Sequence, residues 1–73
     1  MMTRDEHLIW CKKRALEYVN IGDLNQALVS MGSDLQKHPE LKNHKGVQLG
    51  IMLLLSGKLN TRIEMINFIN GFN

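Results

Sequence analysis

Three histidines, one cysteine and one tryptophan carry most of the chemistry open to this 73-residue chain. His7 and Cys11 stand one helical turn apart, a spacing at which two side chains can share a metal ion. Tetrahedral zinc needs four protein ligands, or three and a water. His38 and His44 are the other donors, but they fall on a polar connector without compact spacing, so neither a metal nor a cofactor is expected. Cys11 has no base near it in the sequence and reads as a small buried apolar residue. Asp34 and His38 are four residues apart. They read as a hydrogen-bonded pair closing a helix end, where the dipole favours a cation. As acid and base they would need a pocket that a small helical chain seldom forms. Ser30 and Ser33 lack the sharp turn of a nucleophilic serine, and no glycine-rich phosphate loop occurs. An enzyme is not expected.

Recognition chemistry points to Trp10. On the wheel of the first helix it falls with Lys13, Arg14 and Glu17, away from the apolar arc. Aromatic and arginine side chains dominate binding hot spots. Trp10, Lys13, Arg14 and Glu17 are therefore the expected partner-binding residues. Lys12-Lys13-Arg14, with Arg4, also forms a basic flank on which phosphates could sit while Trp10 stacks on a base. Asp5, Glu6 and Glu17 dilute that field, so nucleic acid is the secondary expectation.

The elements that must position these residues are all helical. Thr3-Arg4-Asp5-Glu6 has the spacing of a capping box, which starts a helix over Arg4 to Asn20 with Leu8, Ile9, Cys11, Ala15, Leu16, Tyr18 and Val19 on one half. Gly22 can end it in the left-handed conformation, and Asp23 can cap the next helix. That helix carries Leu24, Ala27, Leu28, Met31 and Leu35 on one stripe and must end by His38, because Pro39 disfavours a helical residue before it. Pro39 to Lys45 is a connector, and Asn43 is a candidate cap. The third segment, about His44 to Ser56, is apolar nearly all round and is expected to be central and covered. Gly46 and Gly50 offer a strip for close approach. Thr61-Arg62-Ile63-Glu64 is a second capping box, opening a helix with Ile63, Met65, Ile66, Phe68, Ile69 and Phe72. No strand-like alternation occurs.

Composition agrees. Apolar residues make up 44% and charged residues 22%, ordinary globular usage, and the length allows one domain, residues 1–73. The net charge of +2 is too small to imply nucleic acid or a membrane by itself. A single cysteine removes the internal disulfide of small secreted domains, and the N-terminus lacks a signal-like apolar run, so a cytoplasmic location is expected. Ile51-Met52-Leu53-Leu54-Leu55 is far short of the roughly 20 residues that span a bilayer. A chain this small buries only roughly 60% of the surface its unfolded form exposes, so association with a second copy is expected, most simply as a two-fold dimer through Met52, Met65, Phe68 and Phe72.

An internal repeat is visible. Gly22-Asp23-Leu24-Asn25 returns as Gly57-Lys58-Leu59-Asn60, with Ala15 aligned to Gly50 and Tyr18 to Leu53. Chance remains the alternative, since helical turns share these residues. Ala15, Tyr18, Gly22, Ala27 and Pro39 resemble the small, aromatic, glycine, alanine and proline positions of a tetratricopeptide repeat over residues 8–40. Cys11, Asp34 and Arg62 depart from that pattern. The resemblance implies a protein-binding helical hairpin. More broadly, Arg14-Ala15-Leu16-Glu17-Tyr18, Gly22-Asp23-Leu24, Ser30 to Leu35, Lys37 to Glu40 and Phe68 to Phe72 resemble small bacteriophage and prophage proteins. That implies an accessory protein that binds and inhibits a host protein, such as a CRISPR-type defence complex.

The expected fold is thus all-α: a bundle of about four helices, or two stacked hairpins of tetratricopeptide type. The expected function is non-enzymatic protein binding. A small nucleic-acid regulator, and an oligomeric sponge holding a ligand between subunits, are the alternatives.

Overall fold

Four helices follow one another in a computed structural model that describes residues 2–73: α1 (Arg4–Asn20), α2 (Leu24–Leu35), α3 (Gly46–Leu55) and α4 (Arg62–Asn70). The fold is all-α, as the hydrophobic periodicity requires. Both capping boxes form. The Thr3 hydroxyl accepts from the Glu6 amide while the Glu6 carboxylate accepts from the Thr3 amide, and Thr61 and Glu64 repeat the exchange. Asp23 caps α2 by accepting from the Gln26 amide at 3.1 Å. Each cap satisfies an otherwise orphaned amide and contributes about 1 kcal/mol. Asn43 does not cap α3. The helix starts two residues later than the apolar run suggested, and His44 Nδ1 takes the Gly46 amide instead.

The repeated glycines perform the same backbone task. Gly22 has φ +84° and Gly57 φ +76°, the left-handed region that lacks a penalty only for glycine. At the first turn the Gly22 amide donates to Val19 and the Asp23 amide to Tyr18. At the second, Gly57 donates to Leu54 and Lys58 to Leu53. These are paired Schellman bonds, and every donor and acceptor is displaced by the same 35 positions. The likeness ends there: α2 begins two residues after its glycine, whereas α4 begins five after its own.

α1 and α2 form the most extensive helix pair, α4 lies mainly against α1, and α3 packs on α2. The core is the α1–α2–α4 junction: Cys11, Ala15 and Val19 from α1, Ala27, Met31 and Leu35 from α2, and Met65 and Ile69 from α4 are all sealed from solvent. Leu41 and Leu59, in the two longer of the three connectors, plug into the same cluster.

The third helix is not the covered centre. Only Gly50 of α3 is buried, while Leu55 is 83% and Met52 65% exposed. A segment apolar on every side carries no wheel to say which side packs. α3 docks by its glycine edge, and most of its remaining surface faces water. At Gly50 a Cβ would stand 2.6 Å from the Phe68 ring and 2.8 Å from Leu28, and at Gly46 it would stand 2.7 Å from Phe72. The glycine strip thus does allow close approach, and what approaches is the pair of C-terminal phenylalanine rings. These two rings meet edge to face at 5.1 Å.

That packing corrects the expected self-association set. Met65 and Phe72 are interior, 0% and 5% exposed, and unavailable to a second copy. With Ile69 they follow i, i+4, i+7 spacing, the stripe with which the C-terminal segment joins the core. Phe68 is half-buried under Gly50, and Met52 alone of the four is open. Ile9, placed on the apolar half of α1, also points to solvent.

Candidate functional site

The polar centre of the molecule is Asp34, whose side chain is 2% exposed on an otherwise apolar helix interface. A carboxylate there must be fully hydrogen-bonded. Three donors supply this. Arg14 donates through Nε to Oδ2 at 2.7 Å, Ser30 donates to the same oxygen at 3.3 Å, and Lys37 donates to Oδ1 at 3.2 Å. Ser30 and Lys37 lie one turn either side of Asp34 on the α2 side, and Arg14 reaches across from α1. The Asp34 hydrogen bond and charge raise the pKa of Arg14. Among the described residues no buried side-chain nitrogen or oxygen lacks a partner.

Trp10 sits on top of this network. The Arg14 guanidinium carbon lies 4.8 Å from its ring centroid and the Lys37 ammonium 5.6 Å, both within cation–π reach. His7 packs at 5.2 Å from Trp10, and His38 at 5.2 Å from His7. The indole is half-buried, so it is held in place with part of its surface open. Of the four residues expected to bind a partner, the fold brings Trp10 and Arg14 together. Lys13 and Glu17 remain exposed on the adjoining flank of α1, and Glu17 also contributes to the charge that favours the Arg14 cation. Lys37 completes the group. Its i, i+3 relation to Asp34 was the available signal.

The histidines hold backbone. Buried His7 donates through Nε2 to the Asp34 carbonyl at 2.6 Å. His38 donates through Nε2 to the Met2 carbonyl and accepts the Glu40 amide at Nδ1. The expected Asp34–His38 pair does not form, because Lys37 and Arg14 occupy the carboxylate and His38 turns to the chain on its other side. His44 bridges the Gly46 amide and the Asn73 carbonyl and packs on Phe72. Cys11 is fully buried. Burial first, and the Asp34 charge second, push its thiol up to about 11. At neutral pH it is protonated and inert as a nucleophile.

The basic flank is largely tied down. Arg4 donates to the Asn73 carbonyl and pairs with Asp5, Lys12 donates to the Asn70 carbonyl, and Arg14 is committed to Asp34. A second surface holds a groove lined by no charged residue. It runs open between α2 and α3, about 450 Å³ in volume, bordered by the exposed residues of α3. No described helix is long and apolar enough to cross a membrane.

No protein-family model, curated protein or solved structure matches this chain.

Proposed function

We propose that this chain is a non-enzymatic helical protein-binding module, and that it is a phage accessory protein acting in the host cytoplasm by binding and inhibiting a host protein. A CRISPR-type defence complex is one candidate target. The observation that carries the reading is the Trp10–Arg14–Lys37 group over buried Asp34. An aromatic ring and a guanidinium, already fixed in place, form the composition and the preorganised geometry of a binding hot spot. One carboxylate offsets only one of the two cations, so the surface around Trp10 keeps a positive excess and suits an acidic patch on a partner. The side chains with the greatest chemical capacity, Asp34, His7, His38 and Cys11, are spent on holding helices together. The resemblance of residues 8–40 to a tetratricopeptide hairpin and the likeness of the chain to small phage proteins support the same reading.

The test is capture from bacterial lysate with the folded wild-type chain, identification of the bound protein by mass, and titration of that partner with wild-type and Trp10→Ala chains. The expected result is a loss of affinity of about 30-fold or more for Trp10→Ala. Equal affinity for both chains would remove Trp10 from the interface. Binding of nucleic acid that weakens steeply with salt, with no protein captured, would replace this reading with the nucleic-acid regulator.

A further inference from the structure

The apolar face of α2 and α3 has a shape that fits itself. Leu49, Met52 and Leu55 recur at every third position of α3 and stand out to solvent as a ridge. Beside them, Val47, Ile51 and Leu54 recur at i, i+4, i+7 and form one wall of the groove, with Val29 of α2 exposed on the other. At its floor Gly32 brings the two helices close: a Cβ there would meet Val47 Cγ1 at 3.2 Å. Ridges pack into grooves when helices associate. A ridge lying next to a groove on one surface can therefore be satisfied twice over by a two-fold axis, each copy inserting its ridge into the groove of the other.

Area and charge select the occupant. Leu49, Ile51, Met52, Leu55 and Val29 are each about half or more exposed, and together they present roughly 400–500 Å² of apolar surface. A stable dimer buries about 800 Å² per partner, of which about two-thirds is apolar. The patch therefore matches the apolar share of one such interface. None of the ten residues of α3 is charged, and no charged residue lines the groove. Charge is what steers a protein toward a different, complementary partner. The ridge and the groove lining themselves bring no like charges together across a two-fold axis; the nearest cations, Lys42 and Lys45, line the adjoining hollow beyond Gln36 and Val47. Asn25, Ser33 and Gln36 at the groove edge supply an uncharged polar rim.

We infer that this chain forms a two-fold homodimer through the α2–α3 face, with the Met52–Leu55 ridge of each copy seated in the groove of the other. The interface is separate from the Trp10 group, so the dimer leaves both hot spots open and presents two of them to a target. This inference does not rest on the identity of any host partner.

The experiment is sedimentation equilibrium of the full chain at micromolar concentration, with far-UV circular dichroism confirming helix content. The expected mass is twice that of the 8.4 kDa chain. Met52→Glu and Leu55→Glu each place a charge at both symmetry-related positions and are expected to weaken association by about 100-fold or more while the chain stays helical. Ile63→Glu, on an exposed site of α4, is expected to leave the dimer intact. A wild-type monomer at these concentrations overturns the inference. So does a dimer that both α3 variants leave unchanged, or one that Ile63→Glu dissociates. Each of these outcomes leaves the Trp10 titration free to succeed or fail by itself.

Discussion

Arg14 and Asp34 are twenty residues apart in the chain and 2.7 Å apart in the fold. The guanidinium reaches from α1 to a carboxylate sunk into α2, and in doing so it lays its plane near Trp10. One interaction joins the two longest helices and fixes the aromatic ring at the surface.

Removing the carboxylate tests how much depends on it. Asp34→Ala strips an acceptor from Ser30, Arg14 and Lys37 together. Because Arg14 and Lys37 are half-exposed and can return to water, the expected cost is about 2 kcal/mol, below that of a fully enclosed ion pair. Urea unfolding should show a lower midpoint at unchanged slope. A midpoint equal to wild type would mean the network contributes nothing to stability.

Cys11 gives a pH signature. Its folded pKa, about 11, lies above the unfolded value of about 8.5, so the folded state holds the thiol proton more tightly. The associated stability is fully present below the unfolded pKa and is lost as pH rises toward the folded one. Stability should therefore decline between about pH 8.5 and 11, with a shallower decline in Cys11→Ala. An aromatic disulfide reagent at pH 8 should leave the thiol untouched until denaturant is added. Rapid labelling of the native chain would contradict its burial.

Gly50→Ala sets helix propensity against packing. Alanine gains about 1 kcal/mol in a helix interior, but its Cβ would fall within 3 Å of Phe68 and Leu28. Overpacking costs about 1–3 kcal/mol, so a net loss of about 1 kcal/mol is expected by thermal or chemical unfolding. A gain would mean that the Phe68 ring swings aside freely.

Met65 and Ile63 lie two residues apart on α4 and face opposite environments, 0% and 72% exposed. Met65→Ala should cost about 3 kcal/mol through the cavity it leaves, and Ile63→Ala about 0.5 kcal/mol or less. Comparable losses at both sites would contradict the placement of Met65 in the core of its own chain.

The local punctuation of this fold was legible in the sequence. Thr3, Asp23 and Thr61 cap as their spacing requires, Gly22 and Gly57 turn the chain, and α1 ends where its residues place it. These are short-range effects, decided within one turn. The rank of the helices was not legible. α3 is the most apolar segment, yet burial depends on which neighbours have matching faces, and Met31, Met65 and Ile69 matched α1 better. At the candidate site, Trp10 and Arg14 could be placed together because they share a helix face. The pairing of Lys37 with Asp34 follows from their i, i+3 spacing, but the capture of Asp34 by Arg14 and the approach of Lys37 to Trp10 depend on how α1 crosses α2, a relation between helices that spacing along one of them does not encode.

The last turn of α4 contains no basic residue, so nothing local complements its negative helix end. Lys12 of α1 donates to the Asn70 carbonyl, and Arg4 donates to Asn73 just beyond. A nine-residue helix is marginal in isolation, and this one draws its terminal counter-charge from α1. These two bonds tie the end of α4 to α1, and the two helices are expected to open together. Their amide hydrogens should exchange with solvent at a common rate, and residues 61–73 excised as a peptide should be coil.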